Sequence, residues 1–141
     1  MNRLSDQELV ALALSARVNA YAPYSHFRVG AALECENGDV YKGCNIENAA
    51  YGSTICAERT ALVKAVSEGA RSFDRIAIAG DSDDYCWPCG ACRQMLSEFG
   101  NMKILAANKY GEYTETDLRQ LLPHDFGAAT MNHTQNLHEN M

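Results

Sequence analysis

Apolar residues Leu9, Val10, Leu12, Ala13, Ala16 and Ala20 recur at helical spacing and predict a first helix over residues 6–21, capped by Ser5 or Asp6. Ala22-Pro23-Tyr24-Ser25 ends it, because proline disfavours helical geometry in the residue before it. Residues 27–35 alternate as a strand, Asn37-Gly38 is a hairpin turn, and residues 40–46 read as the returning strand. Residues 47–55 read as a loop. A second helix is predicted over 56–68, with Ala57, Ala61, Leu62, Ala65 and Val66 on its apolar side and Gly69 as its stop. The pattern then gives a strand at 75–79, a helix at 89–99 closed by Gly100, a buried strand at 103–107, and a short helix at 117–122 ended by Pro123. From Gly127 onward the chain is polar and patternless, so one domain is expected over 1–126 with a C-terminal tail over 127–141.

Strands separated by helices require crossover connections and hence a parallel portion of sheet, while the opening hairpin adds an antiparallel edge. The simplest arrangement is α/β: a mixed sheet covered by helices on both faces, a three-layer α/β/α sandwich.

Composition narrows the function. With 141 residues, 47% hydrophobic and 21% charged, the chain suffices for one packed core. Twelve Lys and Arg against 18 Asp and Glu leave a net charge of −6, which argues against a nucleic-acid polymer as partner. No run reaches the roughly 18 apolar residues of a membrane span. The opening Met-Asn-Arg-Leu-Ser-Asp lacks the layout of a signal peptide, so the expected location is the cytoplasm.

Six cysteines without a secretory signal point to metal or chemistry rather than disulfides. Cys35 and Cys44 fall in strands and read as small buried hydrophobes. Cys86, Cys89 and Cys92 crowd one segment. Cys89 and Cys92, three apart at a helix start, turn both sulfurs toward one point, and Cys56 opens another helix just after a loop. Helix N-termini favour thiolates. Three thiolates with one open vertex suit a catalytic zinc. Glu58, two residues beyond Cys56, is placed to move protons at a zinc-activated water. Arg59 is placed to draw off the negative charge of three thiolates. Alternatives stay open at this point. Cys86 could pair with Cys89 or complete a structural Cys₄ zinc, and Trp87-Pro88-Cys89-Gly90-Ala91-Cys92 faintly suggests a redox pair. The combination Cys56-x-Glu58 with Pro88-Cys89-x-x-Cys92 is more specific, matching the zinc-deaminase signature with Cys in place of its first His. His26, His124, His133 and His138 lack metal-ligand spacing and are read as non-ligands.

Over about residues 5–126 the chain resembles the small cytidine deaminases with three cysteine ligands. The resemblance rests on Tyr24-Ser25-x-Phe27-x-Val29-Gly30-Ala31-Ala32, Asn45-Ile46-Glu47-Asn48-Ala49, Cys56-Ala57-Glu58-Arg59, Pro88-Cys89-Gly90-Ala91-Cys92-Arg93-Gln94 and Leu121-Leu122-Pro123-x-x-Phe126. It implies a five-stranded mixed sheet, one Zn²⁺ per subunit, and a homotetramer with residues shared between subunits at the sites. It also implies that Asn45 and Glu47 bond the ribose hydroxyl, with Ile46 between them in the substrate-binding segment. Phe27 would pack on the pyrimidine, the backbones of Ala57 and Pro88 would meet the base edge, and Tyr51 and Phe126 would reach a neighbouring subunit's site. The implied reaction is hydrolytic deamination of cytidine and 2'-deoxycytidine in pyrimidine salvage, with Glu58 protonating N3 and helping ammonia leave. A deaminase of a modified cytosine nucleoside such as blasticidin S, and a structural-zinc interaction domain, are the competing expectations.

Overall fold

The computed structural model describes residues 3–128 and Met131. Strands at Val29–Cys35 (β1), Val40–Cys44 (β2), Phe73–Gly80 (β3), Lys103–Ala107 (β4) and Tyr113–Asp117 (β5) form one sheet in the order β2-β1-β3-β4-β5. β1 pairs antiparallel with both β2 and β3, β3 runs parallel to β4, and β5 closes the edge antiparallel to β4. Helices at Asp6–Ala16 (α1), Ala57–Ser67 (α2), Gly90–Ser97 (α3) and Leu118–Leu121 (α4) complete the fold.

Side-chain alternation along the strands divides the core in two. Ala32, Ala77, Ala79, Leu105 and Ala107 face Leu9, Val10 and Ala13 of α1. Ala31, Leu33, Ile76, Ile78 and Ile104 face the other way, onto Ala57, Ala61, Leu62 and Ala65 of α2 and Leu96 of α3. The result is the three-layer α/β/α sandwich with a five-stranded mixed sheet.

Two glycines set the helix–sheet spacing. A Cβ on Gly30 would fall on the Ala13 carbonyl oxygen of α1. On the opposite face, a Cβ on Gly43 would lie 2.5 Å from both the Ala57 carbonyl oxygen and the Ala61 nitrogen of α2. The first turn of α2 is therefore seated directly on β2.

Ser5 caps α1 through a reciprocal pair: Glu8 N–H donates to Ser5 Oγ at 3.1 Å and Ser5 N–H to Glu8 Oε1 at 2.9 Å. Register places Glu34 opposite Arg75 on the α1 side. Glu34, 1% exposed, accepts from Arg75 Nε at 2.7 Å, and Arg75 Nη1 reaches Asp6 at 2.6 Å.

Beyond shifts of one or two residues at the ends of β1, β3, α2, α3 and α4, two boundaries and one whole strand depart from the sequence pattern. The first helix stops at Ala16 and continues as a 3₁₀ turn over Arg17–Asn19, because Arg17 turns its guanidinium to Leu14, Gly80 and Asp81, and Tyr21 bridges Ile46. The second hairpin strand ends at Cys44 rather than 46, and Ile46 pairs instead with Ile55 through two backbone bonds of 2.9 Å. β5 escapes the periodicity because it is a short polar edge strand. The expected tail over 127–141 falls mostly outside the described residues. Among the described residues, no helix is long and apolar enough to cross a membrane.

Candidate active site

Cys56 is the N-cap of α2 and Cys89 the N-cap of α3, and neither side chain caps its own helix. Both sulfurs are thereby left free at two positive helix ends that meet. Cys92 lies in the first turn of α3, and the three sulfurs fall within 4.8 Å of one another. Cys56 Sγ stands 3.9 Å from Cys89 Sγ, which stands 3.4 Å from Cys92 Sγ. Tetrahedral Zn–S bonds of about 2.3 Å place sulfurs roughly 3.8 Å apart, so this donor set fits zinc in both chemistry and size. Among the described residues no fourth His, Cys, Asp or Glu joins the cluster. Cys86 is outside it, tied by its backbone N–H to the Ala107 carbonyl at 3.0 Å, which argues against a closed Cys₄ site. Cys35 is buried, as its strand position predicts, while Cys44 is only partly so.

Electrostatics follow from the packing. The Cys56 thiol is held down at about 5 by hydrogen bonding with Cys92, against the opposing effect of burial, and is helped by Arg59. Arg59 Nη2 donates to Cys56 Sγ at 3.5 Å and to the Thr54 carbonyl at 3.2 Å, while its buried Nε has no partner among the described residues. Burial pushes the Cys86 thiol up to about 12, and the charges of Glu58 and Cys56 add to the rise. Glu58, 4% exposed in the first turn of α2, has its carboxyl raised first by burial and further by the Cys56 charge, with its own backbone N–H pulling the other way.

Of the remaining candidates, Glu47 and Tyr51 line a neighbouring cleft. It holds about 390 Å³ and is bounded by Tyr24, Ser25, Glu47, Tyr51 and Thr54. Arg59 joins the Thr54 wall to the cysteine cluster. Glu47 Oε1 accepts from the Tyr24 and Ser25 N–H groups at 2.9 and 3.1 Å, and Ser25 Oγ bonds Oε2. The Ser25 hydroxyl first, and then the two backbone N–H groups, hold the Glu47 carboxyl below its usual range against the opposing effect of desolvation. Asn45 is buried, and its amide staples the hairpin entry: Oδ1 accepts from Val29 N–H at 2.9 Å and Nδ2 donates to the Phe27 carbonyl at 2.8 Å. That stapling role was invisible in the sequence. Phe27 is 38% exposed, its ring lying over Gly80 and toward Cys86. Pro88 and Ala57 are buried beside the ligands, and the Pro88 carbonyl accepts from Arg93 Nε at 2.7 Å. Tyr51 and Phe126 are 74% and 63% exposed in the single chain. Gln94 grips the Phe126 backbone from both sides, at 2.7 and 3.3 Å. His26 and His124 stand outside the cluster, while His133 and His138 lie outside the described residues.

A three-cysteine cluster with no fourth protein ligand among the described residues, set beside the buried Glu58 and carried by two helix starts over an α/β/α sheet, defines a zinc enzyme of the deaminase class. Comparison with known proteins agrees. The family profile described as "Cytidine and deoxycytidylate deaminase zinc-binding region" matches residues 3–108. A cytidine deaminase of Sporosarcina psychrophila is 48% identical over 129 residues, covering 90% of this chain and 95% of that protein. One from Halalkalibacterium halodurans is 48% identical over 128 residues, covering 89% of this chain and 97% of its own length. The crystal structure of cytidine deaminase from Burkholderia pseudomallei matches with a TM-score of 0.84 at 44% identity, covering 87% of this chain and all of that one, 100%. The chain belongs to the cytidine deaminase family, and it is a zinc-binding hydrolase acting on a C–N bond.

Proposed function

We propose that the protein hydrolyses cytidine and 2'-deoxycytidine to uridine and 2'-deoxyuridine with release of ammonia. The observation that carries this reading is Glu58, 4% exposed, beside a cluster that offers zinc three cysteines and no fourth protein ligand among the described residues. Cys56, Cys89 and Cys92 hold the metal, which when bound supplies the Lewis acidity that makes water nucleophilic near neutral pH.

The chain's own residues do the rest. Glu58 takes a proton from the attacking water and gives it to ring N3. It then takes the second proton from the hydroxyl now on C4 and delivers it to the amino group, which departs as ammonia while the C4 carbonyl forms. Burial keeps bulk water from short-circuiting that transfer. Arg59 offsets thiolate charge at Cys56. The Ala57 N–H, at the first position of α2, and the second lone pair of the Pro88 carbonyl meet the base edge. Glu47 faces the cleft and accepts from the ribose hydroxyl. Asn45 contributes the amide hydrogen and lone pair left over from its stapling bonds, and the Ile46 backbone keeps the two in place. Phe27 packs on the pyrimidine.

Exposed aromatic rings at Tyr51 and Phe126 support a homotetramer in which each reaches a neighbour's site. A cytoplasmic role in pyrimidine salvage and a functional domain ending at residue 126 complete the proposal. The test is incubation of the purified zinc-loaded protein with cytidine, followed by ultraviolet absorbance and ammonia release. Stoichiometric uridine and ammonia are expected. Bound zinc with no turnover of either nucleoside overturns the reading.

A further inference from the structure

Asp81 follows the last residue of β3 and gathers more polar contacts than any sequence motif gives reason to expect. Its Oδ2 accepts from the Arg28 N–H at 2.8 Å and from Arg28 Nε at 2.9 Å. Its Oδ1 accepts from Arg28 Nη2 at 3.0 Å and from Arg17 Nη1 at 2.8 Å. Arg17 Nη1 also reaches the Gly80 carbonyl at 3.1 Å. One carboxylate thus joins the end of α1, the entry to β1 and the exit of β3.

The segment it holds is an unusual one. His26 is the one non-glycine among the described residues with positive φ, at 57°, a conformation that persists only where its surroundings impose it. Phe27 comes next, its N–H bound by Ser25 Oγ at 3.0 Å and its carbonyl by Asn45. Its ring lies so close over Gly80 that a Cβ there would be 2.9 Å from Cε1, and the same point is 3.3 Å from Cys86 Sγ. Glu47 fixes the N-terminal side of this bend and Asp81 the C-terminal side.

We propose that Asp81 is a positioning residue: through the Arg28 backbone and the Arg17 and Arg28 guanidiniums it holds residues 26–28 in the one conformation that lays the Phe27 ring against Gly80 at the mouth of the site. The proposal rests on the reading of Phe27 as the base-packing ring. Charge-assisted bonds to two guanidiniums give the carboxylate the strength to hold a left-handed residue in place. A ring held in advance spares the substrate the cost of ordering it. That advantage applies equally to ground state and transition state, so its loss moves KM and leaves kcat.

The test compares Asp81→Asn with Asp84→Asn, which removes an equal charge from an exposed position in the same loop. In the zinc-loaded proteins, amide hydrogen exchange over residues 23–29 and steady-state kinetics on cytidine are measured together. For Asp81→Asn, exchange at Phe27 and Arg28 accelerates about tenfold and KM rises about tenfold, with kcat within about twofold and zinc content unchanged. Asp84→Asn matches the wild type. Arg28→Ala keeps the backbone bond and the Arg17 pair, so it gives the same signature at about a third of the size, and it carries the test if Asp81→Asn fails to fold. Unchanged exchange, or kcat and zinc content falling together with KM, overturns the proposal. A wild type that does not deaminate cytidine defeats the functional reading instead, and the exchange data still decide whether Asp81 is the clamp.

Discussion

Replacing Gly43 by alanine tests how the fold delivers the chemistry. The new Cβ would stand 2.5 Å from Ala57 O and Ala61 N, both backbone atoms of α2 that cannot rotate away. Ordinary contact requires about 3.5 Å, so the first turn of α2 must retreat by roughly 1 Å. Overpacking of this kind costs about 1–3 kcal/mol. The same turn carries Cys56 and Glu58, whereas Cys89 and Cys92 ride on α3 and stay behind. Metal–ligand distances tolerate only about 0.2 Å, so zinc affinity falls on the order of ten- to a hundredfold. At saturating zinc, kcat/KM falls about a hundredfold, the usual consequence of a displacement near 1 Å. Gly30→Ala is the control. It forces α1 off the opposite face of the sheet, where no ligand resides, and should destabilise at least as much while leaving zinc affinity intact. Thermal unfolding, zinc titration against a chromophoric chelator, and steady-state kinetics on both variants decide the matter. Equal zinc affinity in Gly43→Ala and Gly30→Ala would refute the claim that β2 seats the catalytic helix.

Other expectations follow from the same contacts. Glu34→Ala leaves Arg75 buried without its cross-strand carboxylate and lowers stability by about 3–5 kcal/mol in thermal or urea unfolding, with kcat unchanged because the pair lies on the α1 side. Asp6 is raised by burial but held below its ordinary 3.8 by Arg75 and Lys103. Its stability contribution is therefore full above the unfolded pKa and drains as pH falls through the lower folded value. Below about pH 4 the stability measured by urea unfolding should thus fall more steeply with decreasing pH for the wild type than for Asp6→Asn. Chelation of zinc unties the starts of α2 and α3. Free zinc at a thousand times its Kd stabilises by about 4 kcal/mol, so a calorimetric Tm that ignores chelator would contradict the three-cysteine site.

Much of this was legible because local chemistry and global fold agree. The 3.6-residue spacing in α1 and α2, the Asn37-Gly38 turn and the apolar runs of β3 and β4 each carry their own signal. The ligand set was legible because thiols at two helix starts have a chemical purpose that spacing exposes. β5 was not, since Thr114, Glu115 and Thr116 at a sheet edge show no alternation of apolar and polar residues; only the family resemblance supplied a fifth strand. The end of α1 was missed because Arg17 is recruited by Asp81, 64 positions away. Asn45 was read as a sugar ligand, yet its amide first serves to staple Phe27 and Val29, a role that exists only once β1 and β2 are paired. Gly30 and Gly43 likewise acquire meaning only when a helix is packed over each.

The proposed role of Glu58 as the proton carrier of a zinc-assisted deamination stands or falls with Glu58→Gln. The amide matches the carboxylate in shape but cannot shuttle a proton. With zinc content and uridine binding measured alongside turnover of cytidine, the variant should hold both zinc and product while kcat falls by at least about a hundredfold, the lower range of general acid–base contributions. Wild-type turnover in a zinc-loaded Glu58→Gln protein would contradict it.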